Sequence, residues 1–142
     1  MTKRSIAATT QGVVAAIPMT FVEDTSAQIV AEFAYRLEDP YAVSVVFRTT
    51  DQTVAWSFGR DILSQGVRHA AGFGDVQAWP ARSRRGQPVV VIQLASPDGV
   101  VQVEGPRRAV SRFLDASHRL VPAGTEGRYL DVDAELAELL CS

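Results

Sequence analysis

Three arginines within four residues, Arg82, Arg84 and Arg85, follow Trp79 in the stretch GFGDVQAWPARSRRG, Gly72 to Gly86. Guanidinium groups fork onto phosphates and carboxylates, and an indole can stack on a nucleobase. Such a run could cradle a phosphate, track a nucleic-acid strand, or turn a corner between two strands. The three options separate an enzyme, a nucleic-acid binder and a protein-interaction module. The phosphate loop fails first. GFGDVQ lacks the third glycine of the dinucleotide fingerprint, and a strand pattern follows it where a helix N-terminus would have to supply amide donors.

The remaining inventory for catalysis is thin. His69 and His118 lie in different segments, and neither has a second metal ligand three or four residues on. His118 falls at an expected helix C-terminus, where capping and solvent exposure account for it. No G-x-S-x-G elbow, H-E-x-x-H pair or P-loop occurs. The carboxylates gather at Asp131, Asp133, Glu135 and Glu138. There they suit a helix N-terminus and one solvated helix face better than a convergent magnesium site. Cys141 is the sole cysteine, which excludes a disulfide within this chain and a multi-cysteine zinc site. No catalytic residue, cofactor, metal or small-molecule substrate is expected.

Nucleic-acid binding survives longer. Trp79 could stack a base while Arg82, Arg84 and Arg85 hold phosphates, and Arg107, Arg108, Arg112 and Arg119 could line the same side. Against this, one tryptophan is not an aromatic platform, and it could equally point into the core. The net charge of the 142-residue chain is −2, so no global field draws it to nucleic acid or to an anionic membrane. The start superficially resembles a signal peptide, but Thr9–Gly12 interrupts the apolar run and Val13–Ile17 is too short for its core. A cytoplasmic protein is expected.

The elements that would carry these residues are mostly strands. In YAVSVVFR, Tyr41, Val43, Val45 and Phe47 share one face; in TVAWSF, Val54, Trp56 and Phe58 do. This alternation, with TTDQT between, predicts a hairpin over 41–58. AQIVAEFAYRL predicts a long strand with Ile29, Ala31, Phe33, Tyr35 and Leu37 on one face, and 11–17 a weaker strand. GRDILSQG predicts two turns of helix closed by Gly66 at the C′ position. VQAWPAR, PVVVIQLA and GVVQVEG predict three more strands, the last two joined by the tight turn SPDG. GPRRAVSRFLDASHR predicts a helix with Pro106 at N1 and Val110, Phe113 and Leu114 inward. DVDAELAELL predicts a last helix capped by Asp131, with Val132, Leu136, Leu139 and Leu140 as its apolar stripe.

Strand, hairpin, strand, then Gly-Arg or Gly-Pro-Arg, then helix occurs twice, at about 41–65 and 88–118. This repetition predicts an α+β fold: antiparallel sheets with segregated helices, built as two sheet–helix units in one domain. Residues 1–10 are expected to be a loose N-terminal tail.

The motif set DPYAV (Asp39–Val43), TVAWSFGRDIL (Thr53–Leu63), GDVQAWPARS (Gly74–Ser83), SPDG and PAGTEGRYLDVDAELAELL (Pro122–Leu140) resembles the SsgA-like proteins, the sporulation and cell-division family of actinomycetes. The resemblance runs in order from about residue 27 to 140. It implies a non-enzymatic scaffold that marks septum sites and recruits the tubulin-like division protein FtsZ, with SsgA-type relatives as helpers. It also implies a Whirly-like fold, similar to single-stranded nucleic-acid-binding proteins, and a homo-oligomer. Fold alone does not fix function. The candidate partner surface is Arg82, Arg84, Arg85, Arg107, Arg108 and Arg112, with the acidic face of the last helix as another. The leucine stripe of that helix is expected to close the core or an oligomer seam.

Overall fold

A computed structural model describes residues 6–130. Nine strands and two helices follow in the order β1 (Ile6–Ala8), β2 (Gly12–Phe21), β3 (Gln28–Arg36), β4 (Ala42–Arg48), β5 (Thr53–Gly59), α1 (Arg60–Gly66), β6 (Ala71–Phe73), β7 (Val76–Arg82), β8 (Pro88–Ser96), β9 (Gly99–Pro106) and α2 (Arg107–Leu120). Residues 126–130 are also helical. That start precedes the cap expected at Asp131, which lies outside the described residues along with Val132, Leu136, Leu139, Leu140 and Cys141. Ile6–Ala8, inside the segment expected as a tail, pair with Val13–Ala15 of β2.

The expectation of separate sheets is corrected: the strands form one antiparallel sheet in the order β5-β4-β3-β2-β9-β8-β7-β6, with β1 beside β2. Two four-stranded meanders, each followed by a helix, share it. The first strand of one joins the last strand of the other through Thr20↔Glu104 and Phe21↔Val103. That short ladder covers two edges that separate sheets would have left open.

β2 was the weakest expected strand and lies at the centre. Its inward residues Val13, Ala15, Ile17 and Met19 are buried, yet Gly12, two small alanines and Pro18 blur the alternation. Pro18 is tolerated because it falls between the β1 register, which ends at Ala15, and the β9 register, which begins at Thr20. The inward faces of β3, β4 and β8 close the core with Phe33, Tyr35, Val45, Val90 and Ile92, and α2 adds Val110, Phe113 and Leu114. Phe33 and Phe113 meet with ring centroids 5.5 Å apart. In the hairpin, Val43, Val45 and Phe47 are buried as expected, while Tyr41, in the turn before β4, and Val54, on the edge strand β5, are exposed.

Two terminus assignments change. Gly66 is the last residue of α1 and has no positive φ. A Cβ there would stand 2.5 Å from the Ala78 Cβ, so the glycine lets α1 lie close on β7. Pro106 is the N-cap of α2, one residue before its expected place.

Candidate functional site

Two sets of arginines occupy contrasting settings. Arg60 opens α1 directly after β5, and its side chain is 1% exposed. Burying a guanidinium demands that its charge and donors be satisfied. One terminal nitrogen donates to the carbonyls of Ser117 at 3.1 Å and Val121 at 2.9 Å, sharing the Ser117 carbonyl with the Val121 N–H and binding the carbonyl of the residue that caps α2. The other pairs with the Glu126 carboxylate at 2.8 Å. The cation also lies 4.6 Å from the centroid of the Tyr35 ring, and the Tyr35 hydroxyl donates to the Pro40 carbonyl at 2.9 Å.

This cluster perturbs its neighbours. Burial raises the Glu126 carboxyl, but the hydrogen bond from Arg60 and the N–H of Gly124 outweigh it and leave the pKa below the usual carboxylate value. Burial pushes the Tyr35 hydroxyl up to about 12. His118 is not the exposed capping residue expected: it is half-buried, and its Nε2 is 3.0 Å from the Ser64 hydroxyl, tying α2 to α1. Burial, then the Arg60 charge, lowers its pKa. Neither Arg60 nor Glu126 was singled out from composition or spacing. The signal lay in the quoted motifs, since Arg60 belongs to TVAWSFGRDIL and Glu126 to PAGTEGRYL.

The second set is exposed. Arg82, Arg84 and Arg85 stand on the β7–β8 turn, and Arg107, Arg108 and Arg112 on α2. None of the six forms an ion pair with a carboxylate among the described residues. The turn is closed by Gly86 N–H to Ser83 carbonyl at 2.8 Å and Ser83 N–H to Gln87 carbonyl at 2.9 Å. Arg82 folds back onto the Gly86 carbonyl at 2.8 Å. Register brings the two groups to one end of the sheet, because Arg82 pairs with Pro88 and Val89 with Pro106. The arginine turn and the first turn of α2 therefore leave the sheet side by side. Arg112 follows Arg108 by four residues on one helix face. The first turn of α2 holds no acidic residue, so Arg107 and Arg108 sit where the helix dipole disfavours a cation.

Trp79 is half-buried on the sheet face turned away from the helices, between Ala78 and Pro80 of the opposite face. Its row continues across the strands through Val91, Glu104, Thr20 and Gln28. It does not point into the core, and a carboxylate shares its row. His69 is an exposed loop residue, its Nδ1 3.1 Å from the Ala70 carbonyl. Among the described residues, no three His, Cys, Asp or Glu side chains converge as metal ligands, and no helix is long and apolar enough to cross a membrane.

The described chain is thus a curled antiparallel α+β fold with an edge of exposed arginines. The comparisons make it specific. Residues 29–126 match the family model described as Streptomyces sporulation and cell division protein, SsgA. The chain is 44% identical over 118 residues to the sporulation-specific cell division protein SsgB of Streptomyces coelicolor, covering 82% of this chain and 85% of that one. It is 46% identical over 113 residues to SsgB of Frankia casuarinae, covering 79% and 78%. The solved structure of the SsgA-like sporulation-specific cell division protein of Thermobifida fusca superposes with a TM-score of 0.82 at 32% identity, covering 93% and 98%. A structure of SsgB from Streptomyces coelicolor, in which SsgB mutations correlate with longitudinal cell division during sporulation, gives 0.77 at 37% identity, covering 87% and 99%. The chain belongs to the SsgA family of sporulation and cell division proteins.

Proposed function

We propose that this chain is a non-enzymatic scaffold of sporulation-specific division that marks septum sites in the cytoplasm and recruits FtsZ there. The observation that carries the proposal is the close similarity, over most of both chains, to SsgB proteins named for sporulation-specific division. The exposed arginine edge supports it, because recruitment needs an accessible surface with charge that steers encounter. SsgA-type relatives and further copies of this chain are the other partners of the scaffold. The two meanders with their helices, β2–β5 with α1 and β6–β9 with α2, accord with a Whirly-like arrangement. Single-stranded nucleic acid is the less favoured ligand, since Glu104 shares the row of Trp79.

The test is replacement of SsgB in Streptomyces coelicolor by a fluorescent fusion of this chain. The fusion is expected at division sites before FtsZ arrives. FtsZ rings that form at sites the fusion has not yet reached, in cells making intact fusion, would overturn the marking role.

A further inference from the structure

We infer that the groove on the outer sheet face where β2 and β9 part, rimmed by the exposed arginines, binds an extended acidic segment of a protein partner. The inference rests on the recruiting role above only for the partner being a protein. The groove has a volume of about 520 Å³. It lies where the β2–β9 register, Thr20↔Glu104 and Phe21↔Val103, stops and Pro18 has no N–H with which to extend it. Pro18, Pro106 and the buried Val89 give it an apolar floor, and Thr20, Gln28 and Gln87 supply neutral hydrogen-bonding groups on its walls. An extended peptide needs such a surface: flat apolar contact for alternate side chains, with polar groups for its main chain.

Charge selects the peptide. Arg108 lines the groove, and Gln87 on its wall ends the turn that carries Arg84 and Arg85. Arg84 is near enough to Asp24 to help lower that carboxyl, after the larger effect of the Ser26 hydrogen bonds. The register sets that turn beside the start of α2, next to Arg108. Arg107 and Arg108 are held against the dipole of α2 without a carboxylate partner among the described residues, and a bound anion relieves both penalties. A nucleic acid fits less well. It carries a phosphate at every residue and would meet Glu104 on the groove lining, whereas a peptide can place an uncharged residue over it. Trp79 is the single aromatic side chain on the outer face of β7–β9 and is half-buried, which leaves no run of stacking platforms.

The probe is a fluorescent peptide of about a dozen residues, alternating glutamate and proline so that it stays extended. Its glutamine counterpart and a single-stranded oligonucleotide of equal charge serve as comparisons. The glutamate peptide is expected to bind at least about tenfold more tightly than either. Amide shifts in labelled protein should centre on Thr20, Gln28, Gln87 and Arg108. Arg84→Glu combined with Arg108→Glu should weaken binding at least about tenfold, as should Gln28→Glu on the opposite wall, with no variant melting below the wild-type chain. Equal binding of the glutamine peptide, tighter binding of the oligonucleotide, or shifts centred elsewhere would each overturn the inference. The division role fails separately: it is read from fusion and FtsZ arrival in cells, with no peptide involved.

Discussion

Arg60 and Arg108 both stand in the first turn of a helix, where a cation is unwelcome, and the molecule treats them in opposite ways. Arg60 reaches across to the C-terminal carbonyls of α2, to Glu126 and to the Tyr35 ring, so its charge is spent inside the fold. Arg108, with Arg107, stays exposed without an ion-pair partner among the described residues. The first arginine is explained by what it already touches. The second has no carboxylate partner among the described residues, and the proposed acidic segment would supply one.

The contrast breaks most visibly at Arg60. Arg60→Met leaves Glu126 buried without its cation and takes the guanidinium donor from the Val121 carbonyl, while the Ser117 carbonyl keeps only the Val121 N–H. A loss of about 3–5 kcal/mol is expected in urea unfolding, and adding Glu126→Gln should recover part of it by removing the orphaned charge. Loss of less than about 1 kcal/mol would mean that the cluster is not what fastens the 121–126 segment.

Acidity probes the same cluster more gently. Both His118 and Glu126 have folded-state pKa values below their ordinary values of 6.5 and 4.5. A depressed pKa means the unfolded chain binds the proton first, so the stability each contributes is present above the ordinary value and is lost as pH falls through the folded value. Unfolding free energy should therefore be flat just above neutrality, dip first below about pH 6.5, and dip again below about pH 4.5. His118→Gln should remove the first dip and Glu126→Gln should shrink the second, leaving the part that Asp24 contributes. A first dip that survives in His118→Gln would assign it to another group.

The smallest effect belongs to the exposed edge. Arg107→Glu and Arg108→Glu replace a disfavoured cation with a favoured anion at the start of α2. Each should raise stability by about 0.3–1 kcal/mol in thermal unfolding. A marked destabilisation would place these arginines with Arg60, as residues the fold needs.

What was legible in the sequence follows the same division. Period-two alternation gave Ile29, Ala31, Phe33 and Tyr35 of β3 and Val43, Val45 and Phe47 of β4 as the buried face, while Leu37 and Tyr41 of the same pattern fall in the connection between the strands. β2 was underrated because alanine, glycine and proline carry little of that signal, although its centre position comes from pairing with β3 on one side and β1 and β9 on the other. The joining of the two meanders into one sheet depends on a two-residue ladder that no local pattern announces. The exposed arginines were visible as a cluster, but their meeting at one end of the sheet needed the β7–β8–β9 register. Arg60 and Glu126 lie 66 residues apart, and a charged residue at the start of a helix reads as solvated until the fold closes over it.

The recruiting role at the centre of this account is tested most directly by co-sedimentation of the folded chain with FtsZ polymers at physiological salt. The wild-type chain is expected to pellet with the polymers, and the variant carrying Arg84→Glu and Arg108→Glu to stay in the supernatant. A wild-type chain that remains in the supernatant beside fully polymerised FtsZ would contradict direct recruitment.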